Sequence, residues 1–185
     1  MKVKFDHIDI KILKMLIEDG RQTLTQISKK TALSNSGIKK RVTKLNESGI
    51  LKIQGNFNLE AMDFKACIIL LEIKNFEYIS EISNAYNSCS YVFLVAEILG
   101  SFNLMIGLCG NGDQDLNNKL KLCGPSNKEG VLHSKIILIS DFKFPQYLPL
   151  HLSLKKNEDI NKTNSCGFKC VDCAAFIKNE CKGCC

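Results

Sequence analysis

Long apolar runs are missing from this sequence. No uninterrupted apolar stretch approaches the roughly 20 residues needed to span a bilayer. The first ten residues, MKVKFDHIDI, also lack the apolar core of a secretory signal peptide. We therefore expect a cytoplasmic protein, in a compartment where thiols stay reduced.

Histidine and tryptophan are also scarce. The chain of 185 residues has no tryptophan and only three histidines, His7, His133 and His151. These histidines lie far apart, and no paired-carboxylate or Cys/His motif stands near them. The sequence therefore predicts a protein that is not an enzyme.

Positive charge is concentrated at the N-terminal end. Residues 1–56 contain 12 Lys and Arg against 5 Asp and Glu, whereas residues 57–150 contain 7 against 10. Neutralisation of phosphates, with release of counterions, is the usual role of such a concentration. It favours a nucleic-acid partner for the first 56 residues.

Two short helices joined by a tight turn are predicted between residues 23 and 49. Thr23 with Gln26 forms the capping-box pattern at the start of the first helix. Ser34 is a suitable N-cap for the second helix, and Gly49 is a suitable residue just past its end. The pattern is that of a helix-turn-helix, in which the second helix enters the DNA major groove.

The second helix has two unlike faces. Ile38, Val42 and Leu45 recur at helical spacing and predict a buried stripe. The opposite side is cationic and small-polar, and Gly37 would allow a close approach to the duplex. We predict DNA contacts from Ser34, Asn35, Ser36, Lys39, Lys40, Thr43 and Lys44.

Arg41 belongs to neither face of this helix. It lies only about 60° from the apolar stripe at the helical angle per residue. The sequence leaves two interpretations open: Arg41 pairs with an acid inside the domain, or it contacts DNA.

The elements around this pair follow from similar patterns. A supporting helix is expected over Asp6–Asp19, with Asp6 as its cap. A short hairpin, or wing, is expected where Ile50–Ile53 and Phe57–Leu59 flank the turn at Gln54-Gly55-Asn56. Apolar strands and amphipathic helices then alternate in the order β-α-β-β-α-β, with strands predicted over 66–73, 91–99, 104–109 and 132–142.

The fold class is therefore α+β. We expect a winged helix-turn-helix domain over residues 1–60 and a ferredoxin-like βαββαβ domain over 61–145. A linker is expected over 146–165, with Pro145 and Pro149 flanking its first residues, and a small Cys-rich module over 166–185. The strands are apolar almost throughout. Their pattern suggests that the sheet face away from the helices is also covered, by a partner subunit.

The first 145 or so residues resemble the leucine-responsive/asparagine-regulator (Lrp/AsnC) family of transcription regulators. The similarity begins at IDIKILKMLIEDGRQTLTQISKKTALS, continues through GILKIQGNFNLEAM, and returns at LGSFNLMIGL. It implies homodimers or larger assemblies, pseudo-palindromic double-stranded DNA and a small-molecule effector. Two departures are visible: Ala32 stands where members usually have a turn glycine, and Gly100-Ser101-Phe102-Asn103 lacks the usual acid.

Six of the ten cysteines lie in the last 20 residues, CGFKCVDCAAFIKNECKGCC. Two C-x2-C pairs separated by seven residues suit a zinc knuckle, because each pair lets two thiolates converge on one ion. The predicted ligands are Cys170, Cys173, Cys181 and Cys184, with Cys166 and Cys185 in reserve. An iron–sulfur cluster, disulfides and an unstructured redox-labile tail are the alternatives.

Two roles are open for this tail: a structural appendage, or a sensor of metal or redox state coupled to DNA binding. The other four cysteines, Cys67, Cys89, Cys109 and Cys123, fall in or beside core elements, and we expect them to act as small hydrophobic residues.

A haem-pathway enzyme is the alternative function. Some sirohaem decarboxylases are built on the same two-part plan. In such an enzyme the basic face of the second helix of the helix-turn-helix would have no role, so a DNA-binding regulator is the favoured interpretation.

Overall fold

The structure is a computed structural model that describes residues 4–87, 89–150 and 169–178. The chain divides into two compact units, Met1–Gly55 and Asn56–Cys185. Each unit has its own apolar core.

The first unit contains three helices, α1 (His7–Glu18), α2 (Leu24–Thr31) and α3 (Asn35–Glu47). Their predicted caps are confirmed. Asp6 accepts hydrogen bonds from the N–H groups of Ile8 and Asp9 at the start of α1. Thr23 and Gln26 cap α2 reciprocally, and Ser34 accepts the Gly37 N–H at the start of α3.

The core of this unit forms where the three helices meet. Ile12 of α1, Ile27 of α2 and Ile38 of α3 are each no more than 1% exposed. Burial of these side chains is the main source of stability for such short helices, which are marginal alone. The apolar periodicity in the sequence therefore corresponds to the packed faces.

The predicted hairpin after α3 is wrong. No strand forms between Leu51 and Asn56, and β1 (Phe57–Asn58) instead pairs antiparallel with β6 (Tyr147–Leu148). The linker expected over residues 146–165 is wrong at its start, since β6 lies within it. Leu59 and Leu148 are 1% and 7% exposed and share one apolar cluster, so burial of these side chains favours the distant pairing over a local turn.

The rest of the second unit confirms the predicted β-α-β-β-α-β order. Its four long strands form one antiparallel sheet in the order β3-β4-β2-β5, which is the ferredoxin-like arrangement. The elements are β2 (Phe64–Ile73), α4 (Phe76–Asn87), β3 (Val92–Glu97), β4 (Leu104–Asn111), α5 (Gly112–Leu122) and β5 (Val131–Ile139).

Side chains of β2 alternate between the two faces of this sheet. Cys67, Ile69 and Leu71 are fully buried in the cluster that α4 and α5 cover. Ile68 and Leu70 point to the opposite face and are only partly buried. The β1–β6 pair packs at one end of that face, beside Ala66 and Cys109.

Asn103 fixes the loop that leads into β4. Its side-chain amide donates to the Ile73 carbonyl at 2.7 Å and accepts the Ile73 N–H at 2.8 Å. Its backbone N–H also donates to the Leu71 carbonyl. The side chain thus takes the place of a peptide group at the end of β2, in the segment that lacks the acid usual in the resembled family.

Candidate nucleic-acid interface

Helix α3 presents one face to the core and the other to solvent. Ile38 and Leu45 are buried, while Val42 is partly buried. Every side chain predicted to contact DNA is exposed, namely Ser34, Asn35, Ser36, Lys39, Lys40, Thr43 and Lys44. The predicted two-faced character of this helix is thereby confirmed as geometry.

Side chains in the first turn of α3 also form hydrogen bonds within the protein. The Ser34 hydroxyl lies 3.0 Å from the Ser36 hydroxyl, and the Asn35 amide donates to the Thr25 hydroxyl of α2 at 3.2 Å. Lys39, Lys40 and Lys44, by contrast, form no ion pair with a carboxylate in the part of the chain that the structure describes. Their charges face solvent.

Arg41 pairs with acids of the same unit, which confirms one of its two interpretations. Its Nη1 donates to Asp6 Oδ2 and to Asp9 Oδ1, each at 2.7 Å. The N–H of Asp9 and the Arg41 guanidinium hold the pKa of Asp6 below its ordinary value. Hydrogen bonds to Asp9 and Asp6 in turn raise the pKa of Arg41.

An open recess of about 410 Å³ lies beside this ion pair. Three lysines and Arg41 contribute positive charge to its lining, against two carboxylates. The residues that line it are Lys4, Asp6, Asp9, Gly37, Lys40, Arg41 and Lys44. Sequence reasoning missed Lys4, and the available signal was a lysine two residues before the α1 cap, Asp6.

The turn between α2 and α3 depends on Ala32. This residue adopts the left-handed conformation, with φ 57° and ψ 24°. Glycine adopts this conformation without steric cost, whereas a Cβ is crowded there. Ala32 therefore stands at a position whose backbone favours the glycine usual in the resembled family.

Comparison with known proteins agrees with this geometry. Residues 5–52 match the family model of the winged helix-turn-helix DNA-binding domain. Over 140 residues the chain is 33% identical to the HTH-type transcriptional regulator FL11 of Pyrococcus horikoshii, covering 75% of this chain and 92% of that relative. The fold is similar to that of Escherichia coli AsnC, with a TM-score of 0.65, 17% identity and coverage of 76% and 95%.

The chain belongs to the Lrp/AsnC family of transcription regulators. Another relative of this Lrp/AsnC regulator is FL11 of Pyrococcus abyssi, 31% identical over 75% of this chain and 92% of that protein. A further similar fold is that of Bacillus subtilis LrpC, with a TM-score of 0.60, 19% identity and coverage of 76% and 97%. Since the two FL11 proteins are named as transcriptional regulators, these matches give no support to the sirohaem-decarboxylase alternative. None of the helices that the structure describes has the length and apolar character of a membrane span.

Only part of the Cys-rich tail of this Lrp/AsnC regulator can be described. Cys170–Asp172 forms a 3-10 turn in which the Cys173 N–H donates to the Cys170 carbonyl at 3.1 Å. Cys170 is buried and Cys173 is partly buried. The predicted ligands Cys181 and Cys184, with Cys166 and Cys185, lie outside the described residues, and the described ranges bring together no group of three candidate metal ligands.

The scattered cysteines are packed as predicted. Cys67, Cys89 and Cys109 are buried, and Cys123 is partly buried. Burial raises the pKa of Cys67 to about 11 and that of Cys109 to about 12, because the thiolate is poorly solvated there. These two thiols behave as apolar groups at neutral pH.

Proposed function

We propose that this regulator binds specific DNA sequences by laying the exposed face of α3 in the major groove. Ser36, Lys40 and Thr43 reach base edges, while Lys39 and Lys44 contact phosphates. The observation that carries the proposal is the exposure of every predicted contact on one face, opposite the buried Ile38 and Leu45. The lysines on this face of α3 form no ion pair with a carboxylate of the described residues, so their charges are available to DNA.

The proposal is tested with Lys40→Ala in the full chain and an operator obtained by selection from genomic DNA. We expect weaker operator binding and a shallower dependence of affinity on salt, because a charge at the interface is lost. Lys11→Ala removes an exposed lysine from α1 and serves as the matched control. Unchanged affinity of Lys40→Ala across the salt titration would contradict the proposed contact face.

We also propose that two copies pair through the sheet face that α4 and α5 leave open. Ile68 and Leu70 lie on this face and are only partly buried, and Ile137, paired with Ile68 in the sheet, is 42% exposed. A second copy would remove this apolar surface from water. The dimer presents two α3 helices and so requires a pseudo-palindromic site.

Sedimentation of the full chain tests this pairing. Ile137→Lys places a charge on the open face of an edge strand, where the monomer tolerates it because the side chain is already exposed. We expect a dimer for the native sequence and a shift toward monomer for Ile137→Lys, with an unchanged circular dichroism spectrum. A monomeric native protein would refute the pairing.

A metal site in the tail is the third part of the proposal. Cys170, Cys173, Cys181 and Cys184 would bind zinc, with an iron–sulfur cluster as the alternative, and metal or redox state would then affect DNA binding. The turn over Cys170–Asp172 supports this metal site, because its hydrogen bond from the Cys173 N–H to the Cys170 carbonyl keeps the first pair of cysteines close in space.

Metal analysis of anaerobically purified protein tests the occupancy. Operator affinity with and without a chelator tests the coupling, and equal affinities leave the tail a structural role only. A metal-free protein would refute the site.

A further inference from the structure

The recess beside α3 is open and is lined by four cationic side chains. We infer that it holds one phosphate of the DNA backbone, bound by Lys4, Lys44 and the unoccupied arm of Arg41. This inference rests on the proposed function, and it adds a contact that lies beside the reading face and includes a residue from before α1. Such a contact fixes the register of α3 on the duplex without reading its sequence.

The positions on α3 explain why the cations meet. Gly37, Lys40, Arg41 and Lys44 lie three, four and seven residues apart, which is the spacing of one helix side. Gly37 has no side chain, so the recess stays open at the first turn of the helix. Lys4 adds a further ammonium group to the lining from the segment before α1.

The two carboxylates in the lining reduce its positive charge without cancelling it, and their oxygens already accept hydrogen bonds within the protein. Asp6 accepts the N–H groups of Ile8 and Asp9 through Oδ1 and the Arg41 guanidinium through Oδ2. Asp9 accepts the Asp6 N–H through Oδ2 and Arg41 through Oδ1. Four cations against two compensated carboxylates leave the recess with net positive charge.

Arg41 retains the donors that a phosphate needs. A guanidinium carries five N–H groups in a planar fork. Both hydrogen bonds to the carboxylates start from Nη1, which leaves Nε and Nη2 without a partner among the described residues. Because the acids hold Arg41 in place, its remaining donors are ordered before an anion arrives, which lowers the entropic cost of binding.

The chemistry of the lining favours the sugar–phosphate backbone over a base. The recess is wide open, and its lining contains neither an aromatic side chain for stacking nor an amide for a base edge. Ammonium and guanidinium groups match a phosphodiester well. The expected ligand is therefore a single backbone phosphate of duplex DNA.

A double-mutant cycle with a mixed-sequence duplex tests the inference, because a phosphate contact is independent of sequence. The full-length variants are Lys4→Gln, Lys44→Gln and the double variant. If both lysines hold the same phosphate, each single variant weakens binding, and the double variant loses less than the product of the single losses. The slope of log affinity against log salt should become shallower by at most about 0.9 in total, the value for one phosphate, because Arg41 is still present in the double variant.

Two outcomes would overturn the inference. The first is an affinity for Lys4→Gln equal to that of the native protein. The second is a double variant whose losses multiply and whose slope falls by about 1.8, since the lysines would then contact separate phosphates.

Two further lysines separate this inference from the proposed function. Lys11→Gln is the matched control on α1, since Lys11 is two residues past Asp9 and so lies on another side of the helix. Lys39→Gln tests α3 as an interface outside the recess. Loss of affinity in Lys39→Gln with none in Lys4→Gln refutes the phosphate site alone, whereas no loss in any α3 variant refutes the proposed function too.

Discussion

Arg41 of α3 and Asp9 of α1 form an ion pair in which Nη1 lies 2.7 Å from Oδ1. The other oxygen of Asp9 accepts the Asp6 N–H in the capping box of α1. The carboxylates of Asp6 and Asp9 therefore cap the start of α1 and also bind Arg41 in the middle of α3. Through this link, the start of α1 and the orientation of α3 depend on each other.

Acid should weaken the ion pair between Arg41 and the carboxylates of α1. The variant Asp6→Asn measures how much the charge of Asp6 contributes. Asparagine is also a good N-cap, so the cap is kept while the carboxylate is lost. Because the pKa of Asp6 is lowered in the folded protein, its stabilisation is present above the ordinary Asp pKa of 3.8 and is lost as pH falls through the lowered value. The stability advantage of the native protein over Asp6→Asn should therefore narrow below about pH 4 in urea unfolding.

Asp63→Asn is the control for loss of an exposed carboxylate, since the Lys65 ammonium is 3.9 Å from Asp63 and the Asp63 side chain is 85% exposed. A difference between native and Asp6→Asn that stays constant throughout the acid range would contradict the role of the Asp6 charge.

Ala32→Gly should stabilise the protein. Ala32 has φ 57°, and relief of the crowded Cβ exceeds the greater flexibility of glycine in the unfolded chain. We expect a gain of about 1 kcal/mol in the free energy of unfolding, measured by chemical denaturation. Ala85→Gly, within α4, should lose about 1 kcal/mol or more by the opposite effect. A loss in both variants would show that the α2–α3 turn is not strained.

Asn103→Asp should destabilise the second unit although the two side chains have the same shape. The change replaces the amide that donates to the Ile73 carbonyl with an oxygen that repels it. We expect a loss of about 1–3 kcal/mol in thermal or urea unfolding. Asn58→Asp is the matched control, because among the residues that the structure describes Asn58 uses only its oxygen, to accept the Ala61 N–H. Equal effects of the two changes would argue against the amide bridge.

Cys67 and Cys109 should resist alkylation in the folded protein. Burial raises the pKa of each, so the reactive thiolate is rare at neutral pH. Iodoacetamide labelling followed by mass spectrometry should show partly buried Cys123 reacting faster, and urea should remove the difference.

The same shift has a stability consequence. A neutral buried thiol favours the folded state below the pKa of a free thiol, and this contribution is lost as pH rises into the alkaline range where the unfolded thiols ionise. Rapid labelling of Cys67 or Cys109 in the native protein would contradict both expectations.

Local signals predicted most of the elements. The caps at Asp6, Thr23 and Ser34 are confirmed because each bonds to residues two or three positions away, so neighbouring sequence suffices. The strands of the sheet were predictable because their apolar runs are bounded by turn residues, and their limits differ from prediction by a few residues at most.

Distant contacts defeated the same approach. The pairing of Phe57–Asn58 with Tyr147–Leu148 joins segments far apart in the chain, so no local pattern marks it. A turn at Gln54-Gly55-Asn56 looked favourable in isolation. It was outweighed by the burial of Leu59 and Leu148 in one cluster, which depends on the folded sheet.

Residue spacing along the chain was sufficient to predict the helix-turn-helix, the βαββαβ order and the cationic face of α3. The partners of Arg41 and the approach of Lys4 to the recess depend on how the helices pack. The side of α3 on which Arg41 lies is ambiguous in sequence. It acquires a definite environment only when packing of the Ile12, Ile27 and Ile38 side chains brings the start of α1 against α3.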